Sequence, residues 1–156
     1  MKKELKIKKM LIKTDKSKIG LISRYMTNDE RHLHENLLLI VKEANETFNG
    51  KMLEKHLAAN VKMTAQHIWE DMEGKEKVAP YFIGRFKFFE EKKDETERSF
   101  EKGYVNGSYE DQPCIVLSLN GKRSSYICLD VDKNGQISGI NTITEFPPIE
   151  KVRIID

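Results

Sequence analysis

Cysteine, proline and tryptophan are scarce in this chain: 156 residues hold two, four and one of them. Cys114 and Cys128 sit singly inside apolar, strand-like runs, which suits reduced, buried thiols and argues against a disulfide framework or a metal knot. No apolar run approaches the ~20 residues of a membrane-spanning helix, and the first residues lack the apolar core of a signal peptide. The chain therefore reads as cytoplasmic. Catalytic signatures are missing too. There is no G-x-S-x-G, no phosphate-cradling glycine loop, no G-x-G-x-x-G after a strand and no H-E-x-x-H. The commoner motif-bearing enzymes are thereby disfavoured, whereas metal-free ribonucleases leave little sequence trace.

What the chain does have is charge. Charged residues make up 33% and aromatics 8%, a hydrophilic composition that still supports a folded domain. A single domain over residues 1–156 is expected, burying roughly 70% of its unfolded surface. The net charge of +2 conceals an asymmetry. Residues 1–24 carry nine basic side chains, Lys6, Lys8, Lys9 and Lys13 among them, against Glu4 and Asp15; the remainder has 18 basic and 23 acidic. A basic leading segment on an acidic body attracts phosphates or an acidic protein face. A lysine-coated edge strand, its charge blocking unwanted pairing, accounts for the same pattern.

Local patterns predict an α+β fold: an N-terminal strand, a helical block of three to four helices over 27–74, then an antiparallel meander of four to five strands over 79–156. Leu5 and Ile7 alternate with lysines in a first strand at 4–12, and a short helix fits 17–26. Thr27-Asn28-Asp29-Glu30 is a capping box opening a long amphipathic helix, with Leu33, Leu37, Ile40 or Val41, Ala44 and Phe48 on its stripe and Asn49-Gly50 as a left-handed stop. Helices are expected at 51–59, with Leu53 and Leu57 inward, and from Val61 to Gly74, with Ala65, Ile68, Trp69 and Met72 on one side. After Pro80 the period looks like two: Phe82, Gly84, Phe86 and Phe88 alternate with Ile83, Arg85 and Lys87, which predicts a strand over 81–89. Residues 90–112 read as a charged, exposed excursion with a short strand near 100–105. "CIVLSL-NG-KRSSYICLDV" is a hairpin around a type I′ Asn120-Gly121 turn. A strand over 137–146 and an edge strand in "KVRIID" complete the sheet.

Four stretches carry chemical signals. "DVDKNGQIS" matches the first nine positions of an EF-hand calcium loop, with Asp130, Asp132 and Asn134 as early ligands. Position 12 is Asn141, however, so the bidentate acid is missing and the flanks are strand-like. A hairpin tip with Gly135 in the left-handed position explains the string better. His32 and His34, two apart on a helix, point about 200° apart and cannot share a metal; no metal or cofactor is expected. "LEKHLAANVKMTAQHIWEDMEGK" has the cadence of a helix-turn-helix, but His56 is too bulky for the helix crossing and Gln66 falls where an aliphatic residue belongs, so a plain helical pair is preferred. Phe82, Phe86 and Phe88 resemble a base-stacking row, yet alternation puts the basic residues on the opposite face, which favours a core row.

In style the chain resembles small accessory and anti-defence proteins of bacteriophages and mobile elements, being short, rich in Lys, Glu, Asn and Ile, and free of enzymatic motifs, with "ANETFNGKMLEKHL" carrying the likeness. That resemblance implies a non-catalytic binding protein docking on a host protein or nucleoprotein complex, for instance as an inhibitor of a nuclease-based defence system such as CRISPR. Lys6, Lys8, Lys9 and Lys13, with Phe100, Tyr104 and Tyr109 as aromatic anchors on the excursion, are the expected partner-binding residues. Those aromatics could equally pin the loop to the body. Nucleic acid is a candidate partner through the basic segment. The alternative is a metal-free ribonuclease or toxin: the element order resembles RelE-like and barnase-like architectures, with His56, Arg85, Lys87, Arg123 and Tyr126 as the available acid–base and cationic groups.

Overall fold

Helix α1, Asn28–Glu46, begins where the capping box places it. In the computed structural model, which describes residues 26–65, 71–106, 111–144 and 152–154, the Thr27 hydroxyl oxygen accepts the Glu30 amide hydrogen at 3.1 Å. The same hydroxyl donates to the Glu30 carboxylate at 3.3 Å. Leu37, Val41 and Ala44, spaced four and three apart, are buried with Leu38, so the predicted stripe is the packed one.

The helix stop differs from expectation. Phe48, not Gly50, takes the left-handed conformation (φ 56°), and the Asn49 side chain accepts the Met52 amide hydrogen at 3.1 Å to start α2, Gly50–Glu54. Gly50 is needed for a close approach instead. A Cβ on it would lie 2.6 Å from Ile83 Cγ1 and 3.0 Å from Ile83 Cα.

The next two predictions are reversed by the structure. The first part of the helix expected at 51–59 stands as α2, but residues 57–65, read as its end and the start of the next helix, form strand β1, Leu57–Ala65, and Met72–Glu73 form the short β2. The helix-turn-helix cadence is therefore interrupted by a strand. Val61, Ala65 and Met72 do share a helical period, but Val61 and Met63 also alternate with the exposed Lys62, and a free edge of the sheet takes the segment as a strand. Residues read as an aromatic strand form helix α3, Lys75–Glu91. The apparent alternation of phenylalanines coincides with a longer 3.6 period: Val78, Phe82, Phe86 and Phe89 recur every three or four residues, and Phe86 is buried while Phe88 is exposed. Pro80 lies inside this helix rather than before it.

The rest is strand. β3 (Arg98–Asn106) lengthens the short strand expected near 100–105 within the excursion, and β4 (Asp111–Leu119), β5 (Lys122–Val131), β6 (Ile137–Ile143) and β7 (Arg153–Ile154) follow. The described residues thus form an α+β fold with three helices and one seven-stranded sheet, ordered β2-β1-β6-β5-β4-β3-β7. Every pairing is antiparallel except β1 with β6. The β4–β5 turn has φ 51° at Asn120 and 82° at Gly121, as a type I′ turn requires. Between β5 and β6, the Asp132 Oδ1 accepts the amide hydrogens of Asn134 (2.9 Å) and Gln136 (3.0 Å), with Gly135 at φ 76°. The calcium-like string is a hairpin tip whose first free carboxylate holds its own backbone.

Register shifts in β1, β4–β5 and β5–β6 bend the sheet. α1 lies across β3, β4 and β5, α3 covers β1 and β2, and α2 joins the two helices. Ile115, Ile127, Leu129 and Ile140 pack towards the helices. Their strand neighbours Cys114, Val116, Tyr126 and Cys128 form a second cluster with Val105, Ile143 and Val152 on the other face. No helix among the described residues is long and apolar enough to cross a membrane. The predicted strand at 4–12 and helix at 17–26 lie outside the described residues, apart from Met26.

Candidate functional site

The bent sheet and α3 do not close on each other completely. Between them lies a cavity of about 400 Å³, within the usual size of a small-molecule site. One wall is α3, whose 3.6 period turns Phe82, Phe86 and Phe89 towards the sheet, with Tyr81 and Arg85 beside them. The opposite wall is the helix-facing side of the sheet: Met63 and Ala65 of β1, Phe100 of β3, Leu117 and Leu119 of β4, and Ile127 of β5. Hydroxyl groups come from Ser124 and Ser125 of β5, Thr142 of β6 and Thr144, and Asn45 reaches in from the end of α1.

Arg98, the first residue of β3, is the unusual lining group. Its guanidinium carbon stands 4.3 Å from the Phe89 ring centroid, 5.0 Å from Phe100 and 5.3 Å from Phe48, within cation–π range of all three. Phe48 is the residue held at positive φ, so the backbone distortion after α1 delivers a ring to this cation. Polar compensation is meagre. Nη1 and Nη2 reach the Asn45 carbonyl and side-chain oxygens at 3.4 Å each, the long limit of a hydrogen bond, and among the described residues the enclosed Nε–H has no acceptor.

A second guanidinium lies close by. Arg85 stands 4.8 Å from the same Phe89 ring and 5.9 Å from Tyr81. Burial, and then the charge of Arg85, hold the Arg98 pKa below its ordinary value. Among the described residues, the ionisable groups lining the cavity are Arg85, Arg98 and Tyr81, with no carboxylate, imidazole or thiol. No cluster of three metal-ligating side chains occurs among the described residues.

The residues singled out from sequence fall elsewhere or only partly here. Phe100 is 7% exposed in β3, where it helps line the cavity; it is not an anchor on an exposed loop. Tyr104, also in β3, is half-buried. Its hydroxyl donates to Glu35 Oε1 at 2.8 Å, and Arg31 and Arg153 flank the ring at 5.6 and 5.9 Å. Burial, then Glu35, raise its pKa. Both belong to a strand because β4 pairs along the whole length of β3, from Arg98↔Leu119 to Asn106↔Asp111. Lys6, Lys8, Lys9, Lys13 and Tyr109 lie outside the described residues.

The acid–base candidates are split between the two faces. Arg85 borders the cavity, whereas Tyr126 is fully buried in the second cluster, and Arg123 Nη1 donates to the Val152 carbonyl at 2.9 Å. His56 is partly buried at the start of β1, and Lys87 is exposed on α3. Reading 81–89 as a strand concealed Phe89 as a partner of Phe82 and Phe86. The helical series running from Val78 was the signal for it. Nothing local marked Arg98, whose neighbours come from α1, α3 and β3.

The geometry places the molecule among proteins built as helices on a strongly bent sheet. No family sequence pattern and no curated protein matches the chain. Solved structures match its fold. It is similar to an NTF2-like protein of unknown function from Mesorhizobium loti, with 11% identity over 77% of this chain and 97% of that one and a TM-score of 0.58. A SnoaL-like protein of unknown function from Burkholderia thailandensis gives a TM-score of 0.56, with 12% identity over 77% and 98%. An NTF2-like protein of unknown function from Cytophaga hutchinsonii gives 0.51, with 17% identity over 83% and 99%. The fold is NTF2-like, and identities this low speak to fold alone.

Proposed function

We propose that this is a binding protein whose ligand is a small, largely apolar molecule held in the cavity between α3 and the sheet. The observation that carries this reading is the lining: aromatic and aliphatic side chains on both walls, with a few hydroxyl groups at one side and two cations at another. The test is titration with an uncharged naphthalene dye whose emission shifts to the blue in apolar surroundings. Saturable, one-to-one binding is expected for the natural chain, and loss of it in a folded Ala65→Phe variant. Equal binding by both proteins would remove the cavity from consideration.

Docking on a host protein or nucleoprotein, as an inhibitor, is the second proposal. Phe88 favours it: this large aromatic is 51% exposed on the outer side of α3. A pull-down from host lysate that gives the same partner with the natural chain and not with Phe88→Ser would support it. Capture unaffected by that change would count against this surface.

A further inference from the structure

We infer that the cavity selects a flat apolar molecule carrying a carboxylate, its charge held against Arg98 and Arg85; this rests on reading the cavity as a ligand site. Two guanidinium groups share one ring, Phe89, at 4.3 and 4.8 Å, and among the described residues no carboxylate pairs with either. Arg85 is exposed and Arg98 half-buried, so the cost of their like charges falls on Arg98, and an anion beside it would relieve that cost. The chain provides only substitutes: three ring faces around Arg98 and two 3.4 Å contacts to Asn45. Ring faces are only weak acceptors of N–H groups, and among the described residues the Nε–H has no hydrogen-bond acceptor.

A planar carboxylate matches what is missing. It accepts two parallel hydrogen bonds from a guanidinium edge. Its negative charge offsets the repulsion between the two cations. The apolar remainder of such a ligand faces Phe82, Phe86, Leu117 and Ile127, and three rings within 5.3 Å of the Arg98 guanidinium restrict its freedom before the ligand arrives. An uncharged ligand of the same shape gains the apolar contacts and leaves the cations as they were. A cationic one adds a third like charge.

Three probes of one shape separate these cases: 2-naphthoate, 2-naphthalenemethanol and 2-naphthylmethylamine, titrated into the full chain at neutral pH by calorimetry. The acid is expected to bind at least ~10-fold tighter than the alcohol, in line with a charge-assisted pair, and the amine more weakly than either. Arg98→Met should bring the acid down to the affinity that the same variant shows for the alcohol. Arg85→Met should narrow the gap less. Raising salt from about 50 to about 500 mM should weaken the acid alone, a readout that needs no variant and so survives a folding failure of Arg98→Met. Equal affinities of acid and alcohol for the natural chain, or a preference that persists in folded Arg98→Met, would overturn the charge selection while leaving the cavity as a binding site. Failure of all three probes would overturn both.

Discussion

The two faces of the sheet are built from the same strands and do opposite things. On one face Val105, Cys114, Val116, Tyr126, Cys128, Ile143 and Val152 close into a small cluster in which Val116, Tyr126, Cys128 and Ile143 have no exposed surface. On the other, the helices cover a larger core that stops short of filling the space beneath α3. Alternation along β4 and β5 sends each neighbour to the opposite side, so Ile115 and Cys114, or Ile127 and Tyr126, are one residue apart yet belong to different environments. One face is spent on cohesion. The other keeps aromatic rings, hydroxyls and two arginines around a void, where the lining atoms forgo part of their packing contacts.

The sharpest way to break that contrast is to truncate one large ring on each face. Tyr126→Ala should cost ~3–5 kcal/mol, because a fully enclosed ring leaves a cavity that cannot collapse. Phe100→Ala, beside existing empty space, should cost at least ~1 kcal/mol less. Urea denaturation measures both, and equal losses would mean that the cavity face is as tightly packed as the other.

The closed face should also sense alkali. Burial pushes the Cys114 thiol from its ordinary 9.0 up to about 12 and raises Cys128 as well, and burial then the nearby cysteines raise Tyr126. An acid whose folded pKa is raised keeps its full contribution below the unfolded value and loses it as pH climbs towards the folded one. Stability should therefore hold up to about pH 9 and fall towards pH 12, by on the order of a few kcal/mol. Replacing both cysteines with alanine should flatten that decline. An unchanged slope would show that the thiols ionise without unfolding.

Two glycines sharpen the helix side. Gly50→Ala should cost ~1–3 kcal/mol, because its Cβ meets Ile83 of α3, including the backbone Cα. Gly84, in the same helix, has nothing within 4 Å of an added Cβ, so Gly84→Ala should stabilise by ~0.5–1 kcal/mol. Thermal melts of the two variants should move in opposite directions. Movement in the same direction would mean that α2 and α3 are not in contact in solution.

Legibility from sequence followed the range of the interactions. The Thr27 cap, the stripe of α1, the Asn120-Gly121 turn and the Asp132–Gln136 tip each depend on residues a few positions apart, and all four stand in the structure. Residues 57–65 and 81–89 satisfied two periodicities at once. Val61 and Met63 become strand because β6 offers its edge, and the phenylalanines of α3 become helix because Val78 and Phe89 extend the 3.6 period beyond a strand's usual length.

By itself the chain determined where local hydrogen bonds close: the helix start, the two hairpin tips and the alternating strands on either side of them. Only the tertiary structure decided that α3 would lie over the sheet, that Phe48, Phe89 and Phe100 would surround Arg98, and that Arg85 would join it. Those contacts link α1, α3 and β3, across separations that no local period encodes. Two arginines at the cavity with no carboxylate partner among the described residues are a property of that assembly.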